Sequence, residues 1–219
     1  RNDINLQQKY ANLIERLTEK IYPQFHQKRA INKSIEFIKI GFVSSHFNNH
    51  TISKLFKNWI IKLNRNFFSI FVYYTENKFD ETTNLIKDHA NNFFSHIHID
   101  QLIDQISKDK LDILVYFEIG ITPMIQILAS LRLAPIQCTT WGHPVTSGLK
   151  NIDYFFSSEL MEKKESQKYY SEKLINLPGI GTDYNHPDLS NIKKTNSIKK
   201  TNKIIFLNFQ SLFKLLPQD

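Results

Sequence analysis

The sequence predicts an α/β protein built on an open parallel sheet of Rossmann-like type, covered by helices on both faces. Three observations carry this. Several short segments are almost continuously apolar and rich in β-branched and aromatic residues, as strands buried on both faces must be. Helical stretches fit between most of them, which is the alternation that parallel strands require. The chain of 219 residues, 41% of them hydrophobic, is long enough to bury an ordinary core without disulfides or a structural metal.

From Ile4 to Tyr22 the apolar positions Leu6, Tyr10, Leu13, Ile14, Leu17 and Ile21 follow the helical period, with Asn2 or Asp3 as cap. Such a stripe must pack on something, either the domain that follows or a helical region that precedes it. After Pro23 the character changes. Strands are predicted at Ile35 to Val43, Phe67 to Tyr74, Phe93 to Ile99, Leu111 to Phe117, Ala134 to Thr140 and Ile152 to Ser157. Helices are predicted at Thr51 to Leu63, Asp80 to Asn91, Asp100 to Lys108 and Thr122 to Arg132, the last started by Thr122 as cap and Pro123 at the first helical position. Farther on, Lys203 to Asn208 reads as another strand and Gln210 to Leu216 as the start of a helix, the opening of a second α/β unit.

The net charge of +7 does not imply a nucleic-acid partner. Lys193, Lys194, Lys199, Lys200 and Lys203 fall in one stretch of Lys, Asn, Ser and Thr, which reads as a solvated linker. The lone Cys138 cannot form an internal disulfide, and no apolar run reaches the roughly 18 residues of a membrane span. The N-terminus has no signal-peptide pattern, so a cytoplasmic location is expected. The chain opens on Arg1 and stops at LLPQD inside an apparent element, which reads as a fragment of a longer protein.

In an open parallel sheet, ligands bind beyond the carboxyl ends of the strands. The loop after the first strand, Ser44-Ser45-His46-Phe47-Asn48-Asn49-His50, lacks the glycines of a dinucleotide fingerprint. His50 stands just before a helix, where it fits either a cap or a general base. His96 and His98 alternate along one predicted strand face, without an acidic or cysteine partner at ligand spacing. The stretch from Arg132 to Gly148 runs from a strand into a loop of turn formers with His143 between Gly142 and Pro144, while Thr146 and Ser147 offer donors to a ligand. Cys138 reads as a small buried strand residue rather than a nucleophile.

RLAPIQCTTWGHPVTSG, then NIDYFFSS and YYSEKLINLPGIG, resemble the catalytic region of the O-GlcNAc transferase and SPINDLY-like protein glycosyltransferases. KIGFVSSHFNNHTISKLF resembles that family's first strand and histidine loop, DILVYFEIGIT its middle strand, and FLNFQSLFKLLP the opening of its second lobe. The resemblance runs from about Lys39 to Asp219, with its motifs in order.

The resemblance implies a GT-B architecture of two Rossmann-like lobes facing across a cleft. It divides the chain into a helical segment at 1–30, often the tail of tetratricopeptide repeats, a first lobe at 31–186, a linker at 187–202 and a truncated donor-binding lobe at 203–219. The implied reaction moves a sugar, most simply GlcNAc, from a UDP-sugar to a protein Ser or Thr side chain with inversion. A protein or peptide acceptor and a nucleotide-sugar are then the partners, and no metal or other cofactor is expected. Lys214 matches the diphosphate-contacting lysine, with Gln210, Thr146 and Ser147 on the donor side. His50 matches the histidine discussed as base or acceptor-site group, Asp109 falls near an acidic position linked to proton handling, and His143 resembles the histidine of the bacterial Gly-His-Pro loop. Asp109 also fits a helix-ending surface aspartate.

Two departures bear on the substrate. Gly148 stands where the adhesin-glucosylating branch has a further histidine, and Gln210-Ser211 replace the Asn-Gln of the O-GlcNAc enzymes. The alternatives are an Asn-linked glucosyltransferase of the same family and a non-catalytic acceptor-binding module.

Overall fold

The computed structural model describes residues 3–27, 29–30, 36–95, 98–183 and 190. The lysine-rich stretch and the second α/β unit, with Gln210 and Lys214, lie outside the described residues.

After helix α1 (Ile4–Ile21) the chain alternates strand and helix: β1 (Ile38–Ser44), α2 (Thr51–Ile61), β2 (Phe68–Tyr74), α3 (Glu81–Asp88), β3 (Asn92–Ser95), α4 (Ile99–Asp109), β4 (Ile113–Tyr116), α5 (Pro123–Ser130) and β5 (Ile136–Thr140). Two further strands, β6 (Tyr154–Ser158) and β7 (Lys173–Leu177), follow without an α-helix between them. All seven pair in parallel in the order β3-β2-β1-β4-β5-β6-β7. The α/β prediction is thus met, and the chain order reverses between β1 and β4. That is the switch point at which two strand-end loops diverge and leave a crevice.

The strand sequences explain the two-sided burial. In β1, Phe42 faces the core built with Phe56 and Ile60 of α2 and Ile86 of α3, while Val43 faces the core built with Leu102 and Ile106 of α4 and Leu128 of α5. Beyond α2 the first of these faces carries an apolar hollow of about 740 Å³ over β4–β7, lined by residues such as Trp59, Ile136, Tyr154 and Phe156. It lies on the sheet face rather than at the strand ends, and it holds little that could do chemistry.

Sequence and structure differ in three places. β3 ends at Ser95, and His98 is the N-cap residue of α4 rather than a strand residue; His96, its predicted companion, lies outside the described residues. β7 is not among the predicted strands, since LINL is short and lacks a fully buried position.

The third difference concerns α1. Its apolar stripe does not pack on the lobe: Leu6, Leu13, Leu17 and Ile21 are each at least half exposed. The opposite face, Ala11, Glu15 and Thr18, is the buried one. The small Ala11 permits close approach, Glu15 Oε1 accepts the Lys150 N–H at 2.7 Å, and the Ser130 hydroxyl donates to Thr18 Oγ1 at 3.0 Å. Gly148, at φ +73°, lies so close that a Cβ there would sit 2.6 Å from the Gln7 backbone. Specific hydrogen bonds and backbone contact, rather than apolar area, choose the docked face.

Candidate functional site at the switch point

The loop leaving β1 is held from several sides. Phe47 is fully buried, edge-on to Tyr74 and Phe117. The Asn49 N–H donates to Asp80 Oδ2 at 2.6 Å, tying the loop to the N-cap of α3, and the Ser53 hydroxyl donates to the His46 carbonyl at 2.5 Å. The loop then enters α2 at His50, whose Nδ1 accepts the Ile52 N–H at 3.3 Å. Of the two roles open in the sequence, the cap is therefore realised. Burial first, then the neighbouring His46, lowers the His50 pKa below its usual value, so the ring is neutral at pH 7.

Across the crevice, the loop after β4 places Glu118 under this histidine loop. Its carboxylate is fully buried and gathers the Ser44 hydroxyl at 2.8 Å, the Ser45 N–H at 2.7 Å and the Ser45 hydroxyl at 2.9 Å. His46 Nδ1 lies 3.3 Å from the same carboxylate and 2.8 Å from Ser45 Oγ. The His46 ring lies against that of His50, with centroids 3.9 Å apart and planes tilted by 32°. Sequence reasoning passed over both His46 and Glu118. The available signal was an acidic residue directly after an apolar strand, where only a specific set of donors makes burial tolerable.

The loop after β5 completes the cluster. Gly120 has φ +98°, and a Cβ on it would meet the His143 ring at 3.1 Å; a Cβ on Gly142 would lie 2.1 Å from the Phe117 carbonyl. The two glycines let the loops after β4 and β5 touch backbone to side chain. His50, His46, Glu118 and His143 are thereby assembled at the carboxyl ends of β1, β4 and β5.

Asp109 is not brought to this cluster. It closes α4 at the amino end of β4, where its carboxylate accepts the Tyr73 hydroxyl at 2.6 Å and Gln105 Nε2 at 2.9 Å, while Lys39 donates to its carbonyl at 3.2 Å. Helix length decides this, since α4 must end before β4 begins. Nor are Thr146 and Ser147 open donors. The Thr146 hydroxyl gives its hydrogen bond to Glu172 Oε2 at 2.6 Å, and Ser147 donates both N–H, at 2.8 Å, and hydroxyl to Glu172 Oε1. Glu172 is buried, and these bonds shape the loop that carries His143. A polar hollow of about 560 Å³ opens beside this loop, between Pro144 to Thr146, the start of α1 and the 161–170 segment.

Cys138 is 2% exposed on β5, and burial pushes its thiol up to about 12. It should resist thiol reagents at pH 8 in the native protein and react on unfolding. Fast labelling of the folded chain would contradict that placement. Among the described residues, no set of three His, Cys, Asp or Glu is arranged to hold a metal ion, and no helix is long and apolar enough to cross a membrane.

The sequence profile of Glycosyl transferase family 41 matches residues 2–203. The chain belongs to that family. Among its relatives, the probable UDP-N-acetylglucosamine–peptide N-acetylglucosaminyltransferase SEC of Arabidopsis thaliana is 29% identical over 192 residues, covering 83% of this chain and 20% of the relative. The similarly described SPINDLY of Oryza sativa subsp. japonica is 28% identical over 207 residues, covering 91% of this chain and 22% of the relative. An O-GlcNAc transferase variant from Thermobaculum terrenum shares the fold with a TM-score of 0.68 at 18% identity, covering 78% of this chain and 34% of that one. The chain thus spans about a fifth of the length of these curated relatives. His46, His50 and His143 of this family 41 chain follow the carboxyl ends of β1 and β5.

Proposed function

We propose that this chain is the first lobe of an inverting protein glycosyltransferase, which moves GlcNAc from a UDP-sugar to a Ser or Thr side chain. The observation that carries this is the placement of His46 and His50 in the loop after β1 and of His143 in the loop after β5, at the switch point of a family 41 lobe. Such a crevice presents imidazole donors and acceptors to a hydroxyl, while the nucleotide-sugar is held mainly by the facing lobe. The diphosphate leaving group needs positive charge where its negative charge grows, a role we assign to Lys214, with Gln210 on the donor side, so that no metal or other cofactor is needed. The exposed stripe of α1 is taken by a helix of an upstream repeat region. The single buried, unpaired cysteine accords with work in the cytoplasm.

Gly148 favours the O-linked GlcNAc reading over the Asn-linked glucosyl branch. A histidine at that position would collide with the backbone of α1. The test offers several nucleotide sugars and acceptor peptides to an enzyme joining this lobe to a complete second lobe, with products read by mass spectrometry. GlcNAc on Ser or Thr is expected, and Lys214→Ala should lower turnover at least about a hundredfold, within the range of one lost transition-state charge contact. Transfer of glucose to Asn, or no transfer to protein at all, would overturn the proposal.

A further inference from the structure

The hydrogen bonds around the adjacent histidines assign their protons one after another. A carboxylate only accepts, so the Ser45 hydroxyl, 2.9 Å from Glu118 Oε1, points its proton at Glu118. The Ser45 oxygen is then left as an acceptor. His46 Nδ1 faces that oxygen at 2.8 Å and Glu118 Oε1 at 3.3 Å, and both require a proton from it. Nδ1 therefore carries the hydrogen, and in the neutral ring the lone pair lies on Nε2. Among the described residues His46 Nε2 has no hydrogen-bond partner, and the side chain is 19% exposed.

His50 has the opposite arrangement. Its Nδ1 lone pair accepts the Ile52 N–H, so its neutral ring carries hydrogen on Nε2. A ring protonated there can donate to an oxygen and cannot take a proton from one. The two imidazoles, 3.9 Å apart, thus divide the work into one acceptor and one donor.

We infer that His46 Nε2, oriented by Glu118 through Nδ1, takes the proton of the acceptor hydroxyl, and that His50 holds an acceptor or sugar oxygen through its Nε2–H. This rests on the transferase reading above. As the acceptor oxygen bonds to the anomeric carbon, its proton passes to His46 Nε2 and the O–H electron pair stays on oxygen. The bond from the anomeric carbon to the diphosphate breaks, and its electron pair leaves with the UDP. The resulting His46 imidazolium faces the Glu118 carboxylate, the arrangement that stabilises an orienting carboxylate–imidazole pair. Its proton is lost to water after release. The other charged or titratable groups around the pair are Lys54 of α2, Asp80 at the start of α3, and His143 across Gly120.

Nitrogen-15 NMR of the imidazoles in the 219-residue chain reads the assignment without any turnover. His46 is expected as the Nδ1–H tautomer and His50 as the Nε2–H tautomer, and either ring in the other form overturns the inference. In the two-lobe enzyme, His46→Asn keeps a donor toward Ser45 but removes Nε2. It should cost about 10²–10⁴ in kcat, the usual worth of a general base, and abolish the acid limb of the pH profile. His50→Asn keeps an N-cap acceptor and should raise the acceptor KM more than it lowers kcat. Glu118→Gln should move the acid limb to lower pH, because the imidazolium loses its carboxylate; a merely structural Glu118 would leave the limb in place. Near-normal kcat in His46→Asn would sink the inference even in an active transferase. A wild-type enzyme with no transfer would remove the function reading instead, leaving the tautomers to decide the hydrogen bonding.

Discussion

Gly148→His should unseat helix α1 from the lobe. At φ +73° any L-residue pays roughly 1–2 kcal/mol for the left-handed conformation. The side chain adds a collision, since even its Cβ would lie 2.6 Å from the Gln7 carbonyl carbon and oxygen and 2.8 Å from the Gln8 nitrogen. Backbone in a helix cannot yield as a flexible side chain can, so the helix must move, at about 1–3 kcal/mol of overpacking. Movement also pulls Glu15 from the Lys150 N–H and Thr18 from Ser130. A lower unfolding midpoint by roughly 6–12 °C is expected for a loss of about 3 kcal/mol in a chain of this size. Tryptic cleavage at Lys9, Arg16 and Lys20 should accelerate with it. Removing residues 1–22 first should leave only the left-handed strain as the penalty of the substitution. An equal penalty with and without α1 would show that the contact with Gln7 is not what the glycine serves.

Glu172→Ala should be the most damaging change outside the crevice. The buried carboxylate is the common acceptor for Thr146, for the N–H and hydroxyl of Ser147, and, at 3.3 Å, for the Ser171 hydroxyl. Alanine leaves the buried donors of Thr146 and Ser147 short of their common acceptor and opens a void, a combined cost on the order of 3–5 kcal/mol. Glu172→Gln keeps one oxygen and should lose about half as much. Because the same bonds shape the loop that leads back to His143, peptide transfer by the two-lobe enzyme should fall although Glu172 touches no reacting atom. Hydrogen exchange of the 142–148 amides checks the cause: protection should drop in Glu172→Ala before the rest of the sheet is affected. Unchanged protection would mean that the loop is held by other contacts.

These two results bear on substrate choice as well as stability. The loop from Gly142 to Gly148 is pinned at one end by the Phe117 carbonyl and at the other by Glu172 and α1. The Thr146 and Ser147 donors are engaged by Glu172 and so hold the loop that carries His143. Asp109 lies at the far end of the sheet and accepts the Tyr73 hydroxyl, which burial first and then this hydrogen bond hold above its usual pKa range.

The architecture was legible in the sequence because the central strands β1, β2, β4 and β5 are buried on two faces, and that demand writes continuous apolar runs such as FFSIFVYY and LDILVYF into local composition. Helix starts were legible too, from His50 before α2 and from Thr122 with Pro123 before α5, since start signals are local in sequence. Several motifs in order, from KIGFVSSHFNNHTISKLF through RLAPIQCTTWGHPVTSG to YYSEKLINLPGIG, pointed to the family. What needed the tertiary structure was the pairing of groups far apart in the chain. Glu118 meets Ser45 across 73 positions, Glu172 meets Ser147 across 25, and Glu15 meets Lys150 across 135. The apolar pattern of a helix tells which face avoids water, but the docking of α1 was decided by hydrogen bonds and one glycine on the other face. Periodicity records burial, residue by residue; it carries no address for the partner, and the proton positions on His46 and His50 follow only from those partners.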